Sequence, residues 1–558
     1  MLLPHLSSAL LAALVTLPAF SIAGKPLDVS FPERPPESAL KNIVDDNFIG
    51  ISWELSSFDT LWGGTVKTIP HAMQNYLHNV AVRMSKPLRI RIGGNGMDGS
   101  TYVPNLSKFL EHTDPDAYFN DIPVNFGPIM FDVMNAMYDI VGPMQFIIGL
   151  SMRHPHETAN VVKLATDAEK AFGDRLDAFL LGNEPDLYAG HGERDAYDID
   201  TYVSEIGDVV DDLRDAGLLE RKIIGGPTIC CGWNLSTILD AGLDQYPYKY
   251  YTIQRYPLHN CGGPNEKNTN ITYFQAPVNV GPYLNWQQEG MAKAQANNVP
   301  VLLTEYNSVA CGGSNISNTF ATGLWAVNVG LKAASVNYTS VYLHTREHGI
   351  QYNLFDPPTP ETSMEPGWTT GSTYYAALFL AEMTDPTGSV VVDLNLNNSN
   401  SDPASRVAAY GIYDKAGTSR GKLALLNFAD AKDPGQTATQ VYRIPGGIAD
   451  SVQVRVLTAP SKLETRNISW AGQTVGENGA LLGMQQTIRK DCADGCEVEI
   501  PSPGGALVLL GGSSQFFTGN STIAGIGGYL AGAASQSYTM ASSWSLAALL
   551  GCLLLTFW

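Results

Sequence analysis

Basic residues are scarce in this chain. Its 558 residues include 34 lysines and arginines against 54 aspartates and glutamates, which gives a formal net charge of −20. The sequence contains no run of basic residues. Proteins that bind nucleic acid neutralise phosphates with clustered lysine and arginine. We therefore exclude nucleic acid as a partner and expect any anionic ligand to be recognised by local donors, against the overall charge.

Signatures of nucleotide, cofactor and metal sites are also missing. The sequence has no Walker loop, and the glycines in Arg-Ile-Gly-Gly-Asn-Gly (residues 91–96) lack the spacing of a dinucleotide site. No clustered pattern of histidine, cysteine and aspartate suggests a metal. We therefore expect neither a cofactor nor a bound metal.

Neither chain end carries an apolar run of the length of an ordinary membrane span. The run at residues 10–17 leads to Ser21-Ile22-Ala23, a small-x-small cleavage pattern. A short apolar run followed by such a pattern is typical of a secretory signal peptide. Residues 1–23 are therefore predicted to be removed on export.

The C-terminal end has the layout of a glycolipid (GPI) attachment signal. Small residues at 532–535 precede a polar spacer, and an uncharged tail follows from Leu546 to Trp558. We interpret residues 519–545, rich in serine, glycine and alanine, as a linker carrying the attachment site, and residues 546–558 as a tail removed on anchoring. A weak C-terminal membrane anchor is the alternative. The predicted localisation is secreted, at the cell surface, with membrane contact only through the GPI anchor.

Cysteines and glycosylation motifs agree with export. Seven cysteines become six when the tail carrying Cys552 is removed, and an even count in an oxidising compartment favours disulfides. Cys492 and Cys496 suggest a small loop, while the pairing of the other four stays open. Eight Asn-x-Ser/Thr motifs make glycosylation at several of them an expectation. They begin at Asn105, Asn234, Asn270, Asn315, Asn337, Asn397, Asn467 and Asn520.

The pattern of apolar runs along the chain predicts two domains. Short apolar runs alternate with helical stretches over residues 46–374, which favours an α/β fold, a (β/α)₈ (TIM) barrel. The eight predicted strands are residues 48–51, 88–92, 144–148, 178–181, 222–225, 250–254, 301–304 and 340–343. Residues 375–515 contain repeated short strands separated by turns, which is typical of an all-β sandwich. The leader at residues 27–40 is predicted to add a strand to that sandwich.

Two of the predicted barrel strands end in a glutamate. Strand four runs into Gly-Asn-Glu-Pro-Asp, which contains Glu184, and strand seven runs into Thr-Glu-Tyr-Asn, which contains Glu305. The carboxyl ends of barrel strands are where catalytic residues lie. A glutamate at a strand end is often only a solvated loop residue, but two in matched contexts suit the paired carboxylates of glycoside hydrolysis.

These motifs resemble those of retaining glycosidases whose acid/base follows an asparagine on strand four. Together with the trailing sandwich and the segments Ile-Gly-Ile-Ser-Trp-Glu and Arg-Ile-Arg-Ile-Gly-Gly, the chain resembles glycoside hydrolase family 79. That family contains β-glucuronidases and heparanases. The resemblance implies that Glu305 is the nucleophile, that Glu184 is the acid/base and that Asn183 binds the substrate 2-hydroxyl.

The resemblance also suggests further binding residues. Tyr256 follows strand six, where it either bonds the nucleophile or packs as a core tyrosine. Relatives hold the uronate carboxylate with tyrosine hydroxyls and a backbone amide, which points to Tyr352 and the amide of Gly312. The strand-seven loop offers no aromatic residue where one is expected. The remaining candidates, which are Glu54 for a hydroxyl and His344 and Arg346 near strand eight, also have structural explanations.

The main hypothesis is therefore a retaining exo-β-glucuronidase. It would release terminal glucuronic acid, or its 4-O-methyl derivative, from polysaccharide or proteoglycan chains, so that glucuronic-acid-containing glycans are the predicted partners. An endo-acting, heparanase-like hydrolase is second, because the chain lacks the basic patches that would hold sulfates. An anchored wall protein that binds glycans without turnover is the alternative from another class.

Overall fold

The computed structural model describes residues 23–114, 123–154, 157–358 and 367–511. The predicted signal peptide up to Ile22, the linker, the GPI signal, the tail and Asn520 lie outside these ranges. Across the described residues, no helix has both the length and the apolar character needed to cross a membrane.

Eight parallel strands close into a barrel, and all eight strands predicted from the sequence take part in it. Strand β8 pairs with β1, Val341 opposite Ile49, and this pairing closes the ring. The strands are β1 (Ile49–Glu54), β2 (Leu88–Gly93), β3 (Met144–Leu150), β4 (Leu176–Leu181), β5 (Ile224–Ile229), β6 (Tyr248–Arg255), β7 (Val301–Tyr306) and β8 (Tyr338–Thr345). The predicted TIM barrel is confirmed.

Alternation along the strands sorts side chains between the barrel interior and the helical layer. On β4, Phe179 and Leu181 pack in the core shared with the helices, whereas Ala178 and Leu180 belong to a separate apolar cluster. Because successive side chains of a strand point to opposite faces, this separate cluster fills the barrel interior. Its members are Ile147, Ala178, Leu180, Tyr250, Leu302 and Tyr342.

One principal helix follows each barrel strand. The helices are α1 (His71–Ala81), α2 (Ile129–Val141), α3 (Thr158–Phe172), α4 (Ile199–Asp215), α5 (Leu235–Asp240), α6 (Gln288–Ala296), α7 (Phe320–Ser335) and α8 (Ser372–Ala381). Helix α4 buries one apolar stripe, as a helix on the barrel surface does. Every residue of α8 is buried, because this helix lies between the barrel and the second domain.

Shorter elements line the loops. Three short helices are Phe58–Trp62, Gly94–Asp98 and Val280–Leu284. The small sheets pair Leu258–His259 with Val309–Ala310, Phe355–Asp356 with Thr369–Thr370, Thr474–Val475 with Leu481–Leu482, and join Thr101–Tyr102, Leu110–His112 and Val124–Phe126.

The second domain is a sandwich of two sheets. Its strands are β9 (Ser389–Asp393), β10 (Val407–Asp414), β11 (Arg420–Asn427), β12 (Thr439–Pro445), β13 (Ser451–Thr458), β14 (Ser469–Trp470), β15 (Ile488–Asp491), β16 (Gly495–Pro501) and β17 (Gly504–Leu510). The larger sheet has the order β9-β10-β11-β17-β13-β14, with β15 also paired to β13. The smaller sheet joins β12, β16 and the leader strand Leu27–Asp28, which pairs parallel to β12.

A buried ion cluster joins the two domains. Glu382, directly after α8, accepts hydrogen bonds from Arg83 of the barrel at 2.9 Å and from Arg455 of β13 at 2.6 Å. The indole of Trp470 on β14 donates to the same carboxylate at 3.0 Å. One buried carboxylate is thus shared by an arginine from each domain, and this cluster ties the two domains together.

Three disulfides are present among the described residues. Cys492 and Cys496 form the small loop expected from their spacing. Cys261 pairs with Cys311, and Cys230 pairs with its neighbour Cys231. The last two disulfides lie on the loops after β5, β6 and β7, beside the site described next.

Candidate active site

Glu184 is held by an abrupt turn at the end of β4. The strand stops at Leu181, and Pro185 begins a short 3₁₀ helix, Pro185–Leu187. Between them Glu184 has φ 50° and ψ 49°, a left-handed conformation that is costly for a residue with a side chain. Its backbone N–H donates to the carbonyl of Thr228 on β5 at 3.1 Å. The neighbouring strand therefore fixes the conformation that presents this carboxyl.

Glu305 lies buried on β7 and has several donors. Arg91 of β2 donates from Nη1 to Oε2 at 2.7 Å, and the hydroxyl of Tyr256 donates to Oε1 at 2.9 Å. His344 of β8 approaches Oε1 with Nε2 at 3.7 Å. Two strands, β2 and β8, and the residue that follows β6 thus surround this carboxylate.

The pKa values of the two glutamates are shifted in opposite directions. Burial raises the pKa of Glu184 well above its usual range, and the charges of Glu305 and Asp186 raise it further. Burial also acts to raise the pKa of Glu305, but His344, Arg91 and Tyr256 together outweigh burial and hold that pKa below its usual range. The site therefore favours a protonated Glu184 beside an ionised Glu305.

Arg91 connects Glu305 to the other buried polar residues of the site. Besides Glu305 it donates to the hydroxyl of Ser52 at 2.9 Å and to the amide oxygen of Asn183 at 2.8 Å. Asn183 in turn donates to Asn95 Oδ1 at 2.8 Å. The guanidinium is 1% exposed, so its charge is balanced almost wholly by these neighbours.

Gln254 of β6 lies between Asn183 and Glu184. One terminal atom of its side-chain amide is 2.9 Å from Asn183 Oδ1, and the other is 2.8 Å from Glu184 Oε1. With the amide nitrogen towards Glu184 it donates to an ionised carboxylate, and the amide oxygen accepts from Arg91 at 3.0 Å. With the oxygen towards Glu184 it accepts from a protonated carboxyl. The amide can therefore bond either protonation state of Glu184.

Glu54, at the end of β1, belongs to a second buried polar group. Its Oε1 accepts the backbone N–H of Gly96 at 2.5 Å, and its Oε2 lies 3.5 Å from His344 Nε2. His344 Nδ1 bonds Ser52 Oγ at 2.9 Å. A Cβ atom at Gly94 or Gly96 would collide with the Glu54 carboxyl, which explains these two glycines.

The residues predicted for the carboxylate site are only partly assembled. Tyr352 is 2% exposed, and its ring centre lies 5.9 Å from that of Tyr256. Burial raises the pKa of Tyr352, so its hydroxyl stays protonated and can donate. Gly312 accepts a hydrogen bond from the N–H of Gln351 at 2.9 Å, while Cys311 lines the cavity in its place. The role of the Gly312 amide stays a prediction.

A cavity of about 540 Å³ unites most of the predicted residues. Those that line it are Glu54, Asn183, Glu184, Tyr256, Glu305, Arg346 and Tyr352. His344 lies behind them, against Glu54 and Glu305, and Gly312 does not line the cavity. Within the described part of the chain, no group of three or more histidines, cysteines, aspartates and glutamates is placed to hold a metal ion.

Several known proteins are similar in sequence to this chain. Residues 409–507 match the glycosyl hydrolase family 79 C-terminal beta domain. A β-glucuronidase of Aspergillus niger is 25% identical over 521 residues, covering 83% of this chain and 90% of that protein. A second β-glucuronidase, of Neurospora crassa, is 25% identical over 336 residues, or 55% of this chain and 58% of its own. The predicted resemblance to glycoside hydrolase family 79 is confirmed.

A solved structure supports the fold along nearly the whole chain. The 4-O-α-L-rhamnosyl-β-D-glucuronidase of Fusarium oxysporum superposes with a TM-score of 0.72 at 20% identity, over 87% of this chain and 100% of its own. At this identity the match concerns the fold alone. The prediction of a glycoside hydrolase, against a glycan-binding protein without turnover, is confirmed.

Several residues of the site were not predicted from the sequence. Arg91 is predicted only as part of a strand. An arginine in a strand otherwise buried on both faces needs an acidic or polar partner. That signal was available in the alternation Leu-Arg-Ile-Arg-Ile of β2. Gln254, Ser52 and Asn95 carry no such signal, because buried polar residues are common in barrel strands and loops.

Proposed function

We propose that this glycoside hydrolase is a retaining exo-β-glucuronidase. The observation that carries the proposal is the pair of glutamates in one cavity with opposite pKa shifts, Glu184 raised and Glu305 lowered. Double displacement needs an acid that still holds its proton and a nucleophile that has lost it. The curated relatives named β-glucuronidase supply the choice of sugar.

In the first step Glu305 attacks the anomeric carbon as the bond to the leaving oxygen breaks. Glu184 gives its proton to that oxygen, so the leaving group departs as a neutral alcohol. Arg91 and Tyr256 hold the attacking carboxylate through bonds of 2.7 and 2.9 Å and keep it ionised until it attacks. Asn183, oriented by Arg91 and Asn95, has its amide beside the acid and contacts the 2-hydroxyl.

In the second step Glu184 acts as a base. Once Glu305 is esterified its negative charge is gone, and with it one cause of the raised pKa of Glu184. The ionised Glu184 takes a proton from a water molecule, whose oxygen attacks the anomeric carbon and releases Glu305. Gln254 can follow this cycle, since its amide bonds either protonation state of Glu184.

The uronate carboxylate is assigned to the side of the cavity formed by β8 and its loop. Tyr352 supplies a protonated hydroxyl there, and the prediction for the Gly312 amide is retained. Arg346 is the only lysine or arginine among the described residues that line the cavity. Its guanidinium already forms ion pairs with Glu347 at 3.1 Å and Glu54 at 3.9 Å. Arg346 therefore contributes a positive potential to the cavity and is not assigned as a direct partner of the uronate carboxylate.

Two measurements test the proposal. On p-nitrophenyl β-glycosides the wild-type chain is expected to cleave the glucuronide and to leave the glucoside nearly intact, while Glu305→Ala abolishes turnover. Cleavage of the glucoside in preference would refute the choice of sugar. Proton NMR of the first product is expected to show retained β configuration, and α product would refute double displacement.

The endo-acting alternative has little support in the cavity. Binding of a sulfated chain needs several basic side chains along the cleft. Arg346 is the one lysine or arginine among the described residues that line it. Digestion of a glucuronate-capped oligosaccharide distinguishes the two modes. Release of free glucuronic acid from the end is expected, whereas early appearance of shorter oligosaccharides would favour endo action.

Export to the cell surface is part of the same proposal. Six of the seven described Asn-x-Ser/Thr asparagines are exposed and Asn337 is half-buried, so glycans on the six would meet no packed surface. Phosphatidylinositol-specific phospholipase treatment of intact cells is expected to release the activity into the medium. Activity that stays with the cells after this treatment would argue against a GPI anchor.

A further inference from the structure

The cavity has two chemically different halves. Polar side chains from the loops and ends of β1, β2, β4 and β8 surround the sugar position, among them Glu54, Asn95 and Asn183. The loops after β4, β5 and β6 contribute Leu187, the Cys230–Cys231 disulfide, Pro257 and Leu258 instead. We call this second set the apolar wall.

The apolar wall lies on the acid side of the catalytic pair. Leu187 is three residues after Glu184, and its N–H donates to the Glu184 carbonyl at 2.8 Å. Asp186 accepts the backbone N–H groups of Cys231 at 2.8 Å and Gly232 at 2.7 Å. The loop carrying the disulfide is thus tied to the turn that carries the proton donor. Since Glu184 protonates the leaving oxygen, a group attached to that oxygen meets this wall.

The wall is built to stay in place. A disulfide between neighbouring residues closes a small ring that removes most of the local backbone freedom, and the carbonyl of Cys230 accepts from Arg255 at 3.3 Å. On the next loops, Leu258 pairs with Val309 in a two-stranded sheet, and Cys261–Cys311 links the same two loops. Leu187, Pro257 and Leu258 remain only partly buried, although the surrounding loops are held firmly.

We propose that the apolar wall, which includes the Cys230–Cys231 disulfide, selects leaving groups that present the apolar face of a ring next to the glycosidic oxygen. The inference rests on the proposed function and narrows its substrate class. Fixed sulfur and hydrocarbon surfaces gain free energy from an apolar ring face through burial, and they offer no partner for a sulfate or carboxylate. His191 and His259, both exposed, also line the cavity and can bond hydroxyls at the rim of such a ring.

A pair of alkyl glycosides isolates this contact. Cyclohexyl and isopropyl β-glucuronides both leave as secondary alcohols of similar acidity, so the chemical step is matched and only the ring differs. The wild-type chain is expected to have a kcat/KM about tenfold higher for the cyclohexyl compound, equivalent to about 1.4 kcal/mol. The double variant Cys230→Ser/Cys231→Ser is expected to reduce this preference to about threefold or less, mainly through KM.

Matched variants distinguish a direct contact between the apolar wall and the leaving group from a general effect of losing a disulfide. Cys492→Ser/Cys496→Ser removes a disulfide in the sandwich and is expected to keep the wild-type ratio. Leu258→Ser alters the wall without touching the disulfide and is expected to lower the ratio in the same direction. An unchanged ratio in both wall variants would overturn the inference. Equal losses on both substrates would also overturn it, since they would mean that the disulfide only holds the loop near Asp186.

The outcome is separable from that of the proposed function. If the chain cleaves neither glucuronide but cleaves the corresponding glucosides, the choice of sugar is wrong, and the same ratio is then measured on the glucosides. A ring preference that falls in the wall variants would support the apolar wall on either sugar. No ring preference on the sugar that is cleaved would overturn it.

Discussion

Replacing Arg91 by methionine tests whether the site is held together by a buried ion pair. Arg91 and Glu305 are 2.7 Å apart and almost fully enclosed. Methionine has similar length but no charge, so Glu305 would remain buried without the guanidinium that is bonded to it. Breaking a buried pair from one side costs about 3–5 kcal/mol. That is a large share of the about 5–15 kcal/mol by which domains are stable, so a large drop in thermal stability is expected.

A double-mutant cycle assigns that loss to the charge. In Arg91→Met/Glu305→Gln the buried carboxylate is gone, so the double variant is expected to be more stable than the sum of the two single losses by about 0.5–3 kcal/mol. Thermal and urea unfolding of the four proteins at one pH provide the measurement. Strictly additive losses would refute the reasoning, because they would mean that Arg91 contributes by packing and not by balancing Glu305.

The pH dependence gives an independent check. The pKa of Glu305 is lowered in the folded protein, so its contribution to stability is present above the ordinary carboxyl pKa and is lost as the pH falls through the folded value. Without Arg91 the pKa of Glu305 is expected to rise, and protonation at acidic pH then removes the uncompensated charge. The deficit of Arg91→Met relative to wild type is therefore expected to shrink from about pH 7 to about pH 4.5. A deficit independent of pH would contradict this explanation.

Three further substitutions test the acid and the carboxylate site. Glu184→Ala is expected to retain more activity on p-nitrophenyl than on alkyl glucuronides, since only the latter need protonation; equal losses in steady-state assays would contradict its role as acid. Asp186→Asn removes a charge that raises the pKa of Glu184, so the alkaline limb of the kcat/KM profile is expected to move to lower pH, and an unmoved limb would count against that cause. Tyr352→Phe is expected to cost about 1.5–3 kcal/mol in kcat/KM on glucuronides and little on glucosides, while equal losses on both would indicate packing.

The barrel was predictable because its signals are local. Each strand is a short apolar run bounded by turns, and each is long enough to be recognised without knowing its neighbours. The same holds for Glu184 and Glu305, which stand directly at strand ends in Asn-Glu-Pro and Thr-Glu-Tyr contexts. A parallel barrel then brings such ends to one face, so their shared cavity follows from topology.

The remaining parts of the site depend on distances that no local pattern encodes. Gln254 belongs to the site because β6 lies near Glu184, and its hydrogen bonds depend on the orientation of its side-chain amide. The pairing of four cysteines was open, and the bond between Cys230 and Cys231 is the one that spacing alone disfavours, because adjacent residues rarely reach each other in ordinary backbone conformations. Arg91 was partly predictable. An arginine in a buried strand needs an acidic or polar partner, but the sequence does not show that this partner is Glu305.

The leader strand has a consequence for how the chain is made. Asp28 and Arg443 lie 415 positions apart, yet their side chains bond at 3.1 Å and their strands pair. At about 5–20 residues per second, a ribosome takes ~20–80 s to supply the second partner after the first. All eight barrel strands emerge within that interval, so the barrel can close while the N-terminal segment still waits for its place. The first strand of the sandwich to be synthesised therefore cannot pair until every strand of the barrel has been made.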